Sequence, residues 1–290
     1  MAGKARREGA AERGMARPGL AEGQSAPACP PMILEQIVAH KRTELPALPP
    51  VDRSVLRDLP ACRGFRAALK RPAKDTVHVI AECKKGSPSK GVFVKDYDPV
   101  LVAYNYLLGG AHCCSVLTDE KFFYGHLDHL KRVHAAVTIP TIRKDFIIDE
   151  RQIAEARLAG ADAILLIVAC LEDGKLRDLQ GFAKDIGLDV LIEVHDADEA
   201  MRALNVGTDL VGVNNRNLKD FSVSLQNTYD LLPALIDGQR VVVSESGIHT
   251  RDDCRALEAA GVDAVLVGEA LMTAPDPAAA LRKLRGKLLA

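Results

Sequence analysis

The stretch that decides the fold of this chain is Val77–Gly91, with the sequence VHVIAECKKGSPSKG. Its first seven residues are largely apolar, which predicts a buried β-strand. Glu82 and Lys84 are two residues apart at the end of this strand, so their side chains point to the same face. Gly86 and Pro88 then end the strand and begin a loop. Because a buried acid and base are costly to desolvate, we predict that they serve a site rather than a core.

Further apolar runs follow at intervals typical of one βα unit. The eight predicted strands are 77–83, 112–117, 138–143, 163–168, 189–194, 209–213, 240–244 and 263–267. Amphipathic segments separate them, and strands that alternate with helices predict a parallel sheet. Their near-continuous Val, Ile and Leu content indicates strands that are buried on both faces.

A recurring glycine turn favours closure of this sheet into a barrel. Gly110, Gly160, Gly207 and Gly261 precede the second, fourth, sixth and eighth predicted strands. Glycine suits the residue after a helix, where φ is positive. A turn that recurs in every second βα unit is typical of a (β/α)8 TIM barrel rather than a doubly wound sheet. The predicted fold class is therefore α/β, a (β/α)8 TIM barrel with an extra N-terminal helical segment.

The chain divides into two regions by composition. Residues 1–31 are rich in Ala, Gly, Arg and Pro without aliphatic periodicity, which predicts a disordered extension, with Met32 as a natural start. Residues 32–290 are predicted to form a single barrel domain that includes N-terminal helices within 32–70. The helical stretches in that segment are 32–45 and 54–70, the second interrupted near Pro60. We expect both to pack on the barrel as an appendage.

Charge and cysteine content exclude several classes of function. The formal net charge of −1 gives no bulk attraction to nucleic acid or to an acidic membrane. The longest apolar run, Ala163–Leu171, is far shorter than the roughly 18 residues of a membrane helix. The seven cysteines form no CxxC motif, so we predict free thiols in a reducing, cytoplasmic compartment and no metal site. Cys83 alternates with its charged neighbours and is predicted to face the helices, and His112 is predicted to pack.

Polar side chains stand at the carboxyl ends of the predicted strands, where barrels of this class carry their active sites. Besides Glu82 and Lys84, strands three, five and six end in Lys144, Glu193 and Asn214. Each has an ordinary structural explanation: such a lysine is commonly solvated, a buried glutamate commonly pairs with arginine, and asparagine can satisfy loop backbone. Their coincidence at one end of one barrel predicts a shared site instead.

Two glycine turns add a second signal. Ser246–Gly247 follows strand seven and Gly268–Glu269 follows strand eight, where backbone N–H groups commonly bind phosphate in such barrels. Together with two lysines and several glutamates, they predict an enzyme that moves protons on a phosphorylated, carbonyl-bearing substrate, with no cofactor required. Two alternatives stay open on these residues: a phosphosugar aldolase with Lys144 as Schiff base, and a non-catalytic phosphate-binding barrel.

The motifs at the strand ends resemble those of the indole-3-glycerol phosphate synthase family. They are AECKKGSPSKG, LTDEKFFYG, PTIRKDFIID, LIEVHDADE, GVNNRNL, VSESGI and LVGEALM, in the family's order and spacing. The stretch ILEQIVAHKRTEL is similar to the family's extra N-terminal helix. The resemblance covers roughly Met32 to the C-terminus. It implies a carboxy-lyase of tryptophan biosynthesis that converts 1-(o-carboxyphenylamino)-1-deoxyribulose 5-phosphate to indole-3-glycerol phosphate, with release of carbon dioxide and water.

The resemblance also implies catalytic roles. Lys144 is the expected acid at the substrate ketone oxygen, with Lys84 as rival or helper. Glu193 is expected to stabilise the cationic intermediate or to handle protons. Glu82 is expected to assist dehydration, and Asn214 to orient Glu82 and substrate hydroxyls.

Three groups of substrate-binding residues follow from the same resemblance. They are Lys84, Ser87 and Arg216 for the substrate carboxylate, Phe123, Phe146 and Leu218 as a wall for the anthranilate ring, and Ser246, Gly247, Gly268 and Glu269 for the phosphate, with Glu245 supporting the basic groups. The loop 85–96 is expected to be mobile and to close over substrate. We expect no cofactor, a monomer by default, transient contact with other tryptophan-pathway enzymes, and no room for a fused second barrel before Ala290.

Overall fold

The computed structural model describes residues 33–73, 75–88, 90–218 and 220–287, together with residues 1 and 3. The predicted disordered extension, 1–31, lies outside the described residues except for these two. No helix within the described ranges is long and apolar enough to cross a membrane.

Parallel strands form a closed barrel in the order β1 to β8, with β8 returning to β1. The strands are β1 His78–Cys83, β2 Cys113–Leu117, β3 Thr141–Lys144, β4 Ala163–Ile167, β5 Asp189–Val194, β6 Leu210–Asn214, β7 Val241–Glu245 and β8 Ala264–Val267. Closure is explicit in the register of Ile80 in β1, which pairs with Leu266 on one side and Cys113 on the other. Each predicted apolar run overlaps one of these strands, so the predicted (β/α)8 barrel is confirmed.

Helices surround the barrel and precede it. They are α1 Ile33–Glu44, α2 Arg53–Arg57, α3 Phe65–Leu69, α4 Pro99–Gly109, α5 Glu120–Phe123, α6 Leu127–Ala136, α7 Glu150–Leu158, α8 Asp173–Asp185, α9 Ala197–Asn205, α10 Gln226–Leu235, α11 Arg251–Ala259, α12 Glu269–Met272 and α13 Pro277–Arg285. The turn glycines Gly110, Gly160, Gly207 and Gly261 have φ values of 83°, 87°, 73° and 95°, as predicted. The predicted loop 85–96 contains a short antiparallel hairpin of Gly86–Ser87 with Gly91–Val92.

The period-two pattern of each strand divides the core into two parts. Ile80 points into the barrel, where it belongs to a cluster with residues such as Leu165 and Leu266. Its neighbours in β1 face outward against the helices, and Cys83 Sγ lies 3.9 Å from the carbonyl of Pro99 in α4. Cys83 therefore faces the helices, as predicted. The cysteines in the described part of the chain are free thiols.

The N-terminal segment covers both ends of the barrel, which the sequence pattern does not reveal. The predicted helix 54–70 is two short helices, and α3 inserts the fully buried Phe65 and Leu69 into the apolar cluster inside the barrel. The backbone N–H of Arg66 donates to Asp189, the first residue of β5, which places α3 at the amino ends of the strands. Helix α1 lies at the opposite end, where Lys41 contacts Asp119 beyond β2.

Candidate active site

Five polar side chains occupy the last or next-to-last position of barrel strands, and all five line one cavity. They are Glu82 on β1, Lys144 on β3, Glu193 on β5, Asn214 on β6 and Glu245 on β7. The carboxyl ends of parallel strands meet at one rim, so these side chains converge. The same cavity is lined by the predicted binding residues Lys84, Ser87, Phe123, Phe146, Arg216, Leu218, Ser246 and Glu269. Gly247 and Gly268 belong to its backbone turns and are not part of the lining.

A buried ammonium lies between two carboxylates at the centre of the site. Lys144 Nζ is 3.2 Å from Glu193 Oε2 and 3.7 Å from Glu245 Oε2. Burial disfavours the charge on Lys144, but the carboxylates of Glu193, Glu245 and Glu82 outweigh it and raise the lysine pKa above its ordinary range. The ammonium therefore stays charged throughout the neutral pH range.

The two carboxylates beside Lys144 have opposite protonation preferences. Burial acts to raise the pKa of Glu193, but the charge of Lys144, the nearby His195 and a hydrogen bond from Asn214 bring it below its ordinary value. For Glu245, burial first and the charge of Glu193 second raise the pKa to about 8. The cluster thus holds a charged lysine and an ionised Glu193, and Glu245 keeps its proton to a higher pH than an ordinary glutamate.

Asn214 supports Glu193 and not Glu82. Its Nδ2 donates to Glu193 Oε1 at 3.1 Å, while its Oδ1 accepts from Ser246 Oγ at 2.9 Å and from the Arg216 backbone at 3.0 Å. The expectation that Asn214 orients Glu82 therefore needs correction. The physical reason is the strand order, because β6 lies beside β5 and is separated from β1 by two strands.

His195 is a second partner of Glu193 to which sequence reasoning gave no role. Its Nε2 lies 3.3 Å from Glu193 Oε1 and its Nδ1 lies 3.0 Å from Glu199 Oε2. Burial opposes its charged form, but the contacts with the two glutamates raise its pKa to about 10. The sequence spacing does indicate this contact, since the side chain of a histidine two residues after a strand-end glutamate can reach that glutamate from the following turn.

The opposite side of the cavity combines a second ion pair with aromatic rings. Lys84 Nζ lies 3.5 Å from Glu82 Oε1 and 5.5 Å from the ring centroid of Phe123. The rings of Phe123 and Phe146 are 5.8 Å apart with an interplanar angle of 35°. A cation that faces an aromatic ring, with a second ring close by, can hold a flat ring that carries a negative substituent.

The loops after β7 and β8 lie side by side, because these strands are neighbours. Ser246 and Gly247 both have positive φ, of 66° and 81°, so the backbone turns sharply at the end of β7. The side chain of Glu269 is hydrogen-bonded to Lys90 Nζ from the β1 loop. That bond lowers the pKa of Glu269, and Arg216 and Lys84 contribute through their charge. Basic side chains thus lie near Glu269, in the turn after β8 that is predicted to bind phosphate.

Two glycines make room for buried carboxylates. A Cβ atom on Gly212, in the middle of β6, would lie 2.0 Å from Glu245 Oε1. A Cβ atom on Gly268 would lie 2.6 Å from Glu82 Oε1. Gly212 was not among the predicted residues, although an isolated glycine inside a strand signals close approach of another group.

Helix α1 supplies an apolar surface to the same cavity. Ile33, Leu34 and Ile37 line it together with Leu165 and Ile167 from β4. The sequence predicted this helix but not its place at the site. The cavity therefore combines an apolar wall, two lysines, and turns with nearby basic groups, which suits an anionic substrate with an aromatic part. Within the described residues, no group of three or more His, Cys, Asp or Glu side chains is arranged to hold a metal ion.

Comparison with known proteins gives consistent results for sequence and fold. The chain is 50% identical over 260 residues to indole-3-glycerol phosphate synthase of Albidiferax ferrireducens, covering 87% of this chain and 97% of the relative. It is 48% identical over 264 residues to the enzyme of the same name from Variovorax paradoxus, covering 88% and 99%. For Chlorobium phaeovibrioides the identity is 50% over 248 residues, covering 84% and 95%.

More distant solved structures share the fold alone. 3-Hexulose-6-phosphate synthase from Salmonella typhimurium superposes with a TM-score of 0.59 at 14% identity, covering 73% of this chain and 98% of that one. Thiamine phosphate pyrophosphorylase from Pyrococcus furiosus gives 0.56 at 19% identity, covering 73% and 95%. A sequence model described as indole-3-glycerol phosphate synthase matches residues 34–284, and with these close relatives it shows that the chain belongs to the indole-3-glycerol phosphate synthase family.

Proposed function

We propose that this chain closes the indole ring of tryptophan. Its substrate is 1-(o-carboxyphenylamino)-1-deoxyribulose 5-phosphate, and its products are indole-3-glycerol phosphate, carbon dioxide and water. The observation that carries the proposal is the charged, buried ammonium of Lys144, which shares one cavity with the aromatic pair Phe123 and Phe146. Ring closure requires an acid at a ketone oxygen beside a bound aromatic ring, and this arrangement provides both.

Lys144 acts in the first step as the general acid. The ring carbon that carries the carboxylate attacks the ketone carbon, and the ketone oxygen takes a proton as its C=O π bond opens. The developing alkoxide is more basic than an amine, so transfer from the lysine is favourable although the lysine pKa is raised. The positive charge that develops on the substrate nitrogen is stabilised by the ionised Glu193. Loss of carbon dioxide returns its bonding electrons to the ring.

Glu82 and Lys84 serve the final dehydration. The hydroxyl formed from the ketone leaves as water once it is protonated, and a neighbouring carbon loses a proton to complete the aromatic indole. We assign Glu82 as the base, and its position on β1, 3.5 Å from Lys84 and across the barrel from Glu193, supports this role. Lys84 is the helper that supplies or holds protons at this side. Asn214 holds Glu193 in place, together with His195.

The proposed binding roles are supported by the side chains that line the cavity. Lys84, Ser87 and Arg216 bind the substrate carboxylate, and Phe123, Phe146 and Leu218 pack on its ring. The phosphate binds to backbone N–H groups of Ser246, Gly247, Gly268 and Glu269. The side chain of Glu269 does not oppose the phosphate, because it is directed to Lys90. Glu245, whose Oε2 lies 3.7 Å from Lys144 Nζ, supports the basic groups of the site.

The proposal extends to the state of the protein in the cell. We propose one catalytic domain spanning residues 32–290, a monomer in the cytoplasm, with contact to other enzymes of tryptophan biosynthesis that is transient. No metal or cofactor is assigned a role in this reaction.

Turnover of the carboxyphenylamino substrate by the purified protein tests the proposal. The chain has no tryptophan, so the fluorescence of the indole product is measured against a low protein background. Lys144→Met serves as the control, and wild-type turnover equal to that of this variant would overturn the proposal. Borohydride trapping separates the aldolase alternative, since an adduct on Lys144 would require a Schiff base that ring closure does not use.

A further inference from the structure

Lys41 of α1 forms a buried ion cluster just outside the catalytic cavity. Its side chain is 3% exposed, and its Nζ lies 3.0 Å from carboxylate oxygens of Asp119 and Asp145. A third carboxylate, from the half-exposed Glu44 one turn later in α1, lies at the same distance. An ammonium that is buried against two buried carboxylates is expensive to remove, because each carboxylate then lacks its partner.

Asp119 positions one wall of the cavity. It is the N-cap of α5, and its Oδ1 accepts hydrogen bonds from the backbone N–H groups of Phe122 at 2.7 Å and Phe123 at 3.2 Å. Its other oxygen faces Lys41. The ammonium of Lys41 therefore forms an ion pair with the carboxylate that accepts a hydrogen bond from the backbone of Phe123.

Asp145 positions the other wall and the acid. It is the residue between Lys144 and Phe146, and its Oδ1 accepts a hydrogen bond from the Phe146 backbone at 2.8 Å while contacting Lys41. Its Oδ2 accepts from Thr118 at 2.5 Å and lies 3.1 Å from Arg143 Nη2. A shift of Asp145 thus moves the residues on both sides of it.

We propose that Lys41 is a positioning residue for ring closure. It fastens α1 to the segments after β2 and β3, and through Asp119 and Asp145 it sets the positions of Phe123, Phe146 and Lys144. The inference rests on the proposed function, because ring closure is the activity that it modulates. Lys41 does not line the cavity and has no direct part in the chemistry.

A purely structural role predicts something different. If Lys41 only neutralises buried carboxylates, then removal of one negative charge together with the lysine restores both stability and activity. If it positions the site, the same double change restores stability but leaves activity low. Asp119→Asn suits this purpose, because the amide oxygen keeps the acceptor for the α5 backbone while the charge is lost.

The experiment compares Lys41→Met, the double variant Lys41→Met/Asp119→Asn, and Glu44→Gln, which removes the exposed partner alone. We measure Tm, kcat and KM for the carboxyphenylamino substrate, and the Kd of the substrate's borohydride-reduced alcohol by its anthranilate fluorescence. Displacement by about 1 Å can lower turnover by about 100-fold, so kcat/KM of Lys41→Met is expected to fall by about 10- to 100-fold. The fall should appear in kcat through Lys144, and in KM and Kd through the two phenylalanines.

The double variant decides between the two roles. Its Tm is expected to recover towards the wild-type value while kcat/KM stays at least about tenfold low, and Glu44→Gln is expected to stay within about twofold of wild type. Wild-type kcat/KM in Lys41→Met or in the double variant would overturn the inference, and so would a double variant that does not fold. Wild-type protein without turnover would instead overturn the proposed function, so the two failures are distinguishable.

Discussion

Lys144 Nζ lies 3.2 Å from Glu193 Oε2, and this ion pair joins β3 to β5 across the end of β4. Strand β4, which lies between them, ends in Ile167. The apolar side chain of Ile167 cannot form a hydrogen bond with either Lys144 or Glu193. The pair is therefore held over an apolar surface, where electrostatic interactions are stronger than in water.

The first prediction concerns the lysine of this pair. Lys144→Met is expected to lower kcat by about 100- to 10,000-fold, since that is the usual contribution of a positioned general acid. Lys121→Met is the matched control, because Lys121 is exposed on α5. Its Nζ lies 5.5 Å from the ring centroid of Phe122, and it is not part of the cluster of Lys144, Glu193 and Glu245. Equal losses in steady-state assays of the two variants would show that another group is the acid.

The second prediction concerns the pH dependence of the same lysine. Glu193 is the largest of the charges that raise the pKa of Lys144. Glu193→Gln removes that negative charge, so the ammonium loses its proton at lower pH and the alkaline limb of the kcat/KM profile moves to lower pH. Glu172→Gln, an exposed acid before α8, should leave the limb in place. If the alkaline limb of Glu193→Gln stays at the wild-type pH, that limb does not report the deprotonation of Lys144.

The third prediction concerns the aromatic wall. Phe123→Ala removes a ring that faces Phe146 and the Lys84 ammonium. Loss of a stacking partner worth about 0.5–1.5 kcal/mol beyond its buried area should raise KM by about tenfold with a smaller change in kcat. Tyr104→Ala, at an exposed position of α4, is the comparison and should leave both constants unchanged. A fall in kcat without a rise in KM would contradict a binding role.

The fourth prediction concerns the glycine beside Glu82. Gly268→Ala introduces a methyl group 2.6 Å from the Glu82 carboxylate, so the carboxylate must move. We expect a fall in kcat of at least tenfold, consistent with the sensitivity of catalysis to displacements of about 1 Å. Gly181→Ala in α8 has open space around it and should raise stability by up to about 1 kcal/mol without loss of activity. Full activity of Gly268→Ala would contradict a catalytic role for Glu82.

The fifth prediction concerns stability and pH. The pKa of Glu245 is about 8 in the folded protein, well above its ordinary value of 4.5. Between these pH values the folded state keeps a proton that the unfolded state has released, so the free energy of unfolding falls as pH rises. His195, with its pKa raised to about 10, adds a further decline above pH 6.5. Glu245→Gln should make the decline of Tm from pH 5 to pH 8 shallower, measured by calorimetry, and an unchanged slope would contradict the raised pKa.

The strand ends were predictable because their signals are local. An apolar run marks each strand, and the polar residue that ends it, such as Lys144 or Glu193, must lie at the rim where all the strands end. The positive φ of Gly110 and Gly160 follows from the same local turn. The topology then brings together residues far apart in the chain without any further information.

The remaining features depend on contacts between elements that are far apart, and local patterns do not encode them. Nothing near Lys41 shows that its partners are Asp119 and Asp145. Strand order places the amide of Asn214 beside Glu193 and not beside Glu82. Gly212 does carry a local signal, because glycine in the middle of a buried strand indicates that another group comes close.

Helix α3 fills the amino end of the barrel with Phe65 and Leu69, and this has a consequence for synthesis on the ribosome. Arg71, just after α3, donates its backbone N–H to Asp263, which is 192 positions later in the chain. At about 5–20 residues per second, the segment waits roughly 10–40 s for that partner to be made. The cluster that buries Phe65 and Leu69 includes residues of β7 and β8, so the burial of these two side chains is incomplete until those strands are made. Helix α3 therefore cannot complete its docking until β7 and β8 are made, and it offers an apolar target to a chaperone that binds nascent chains.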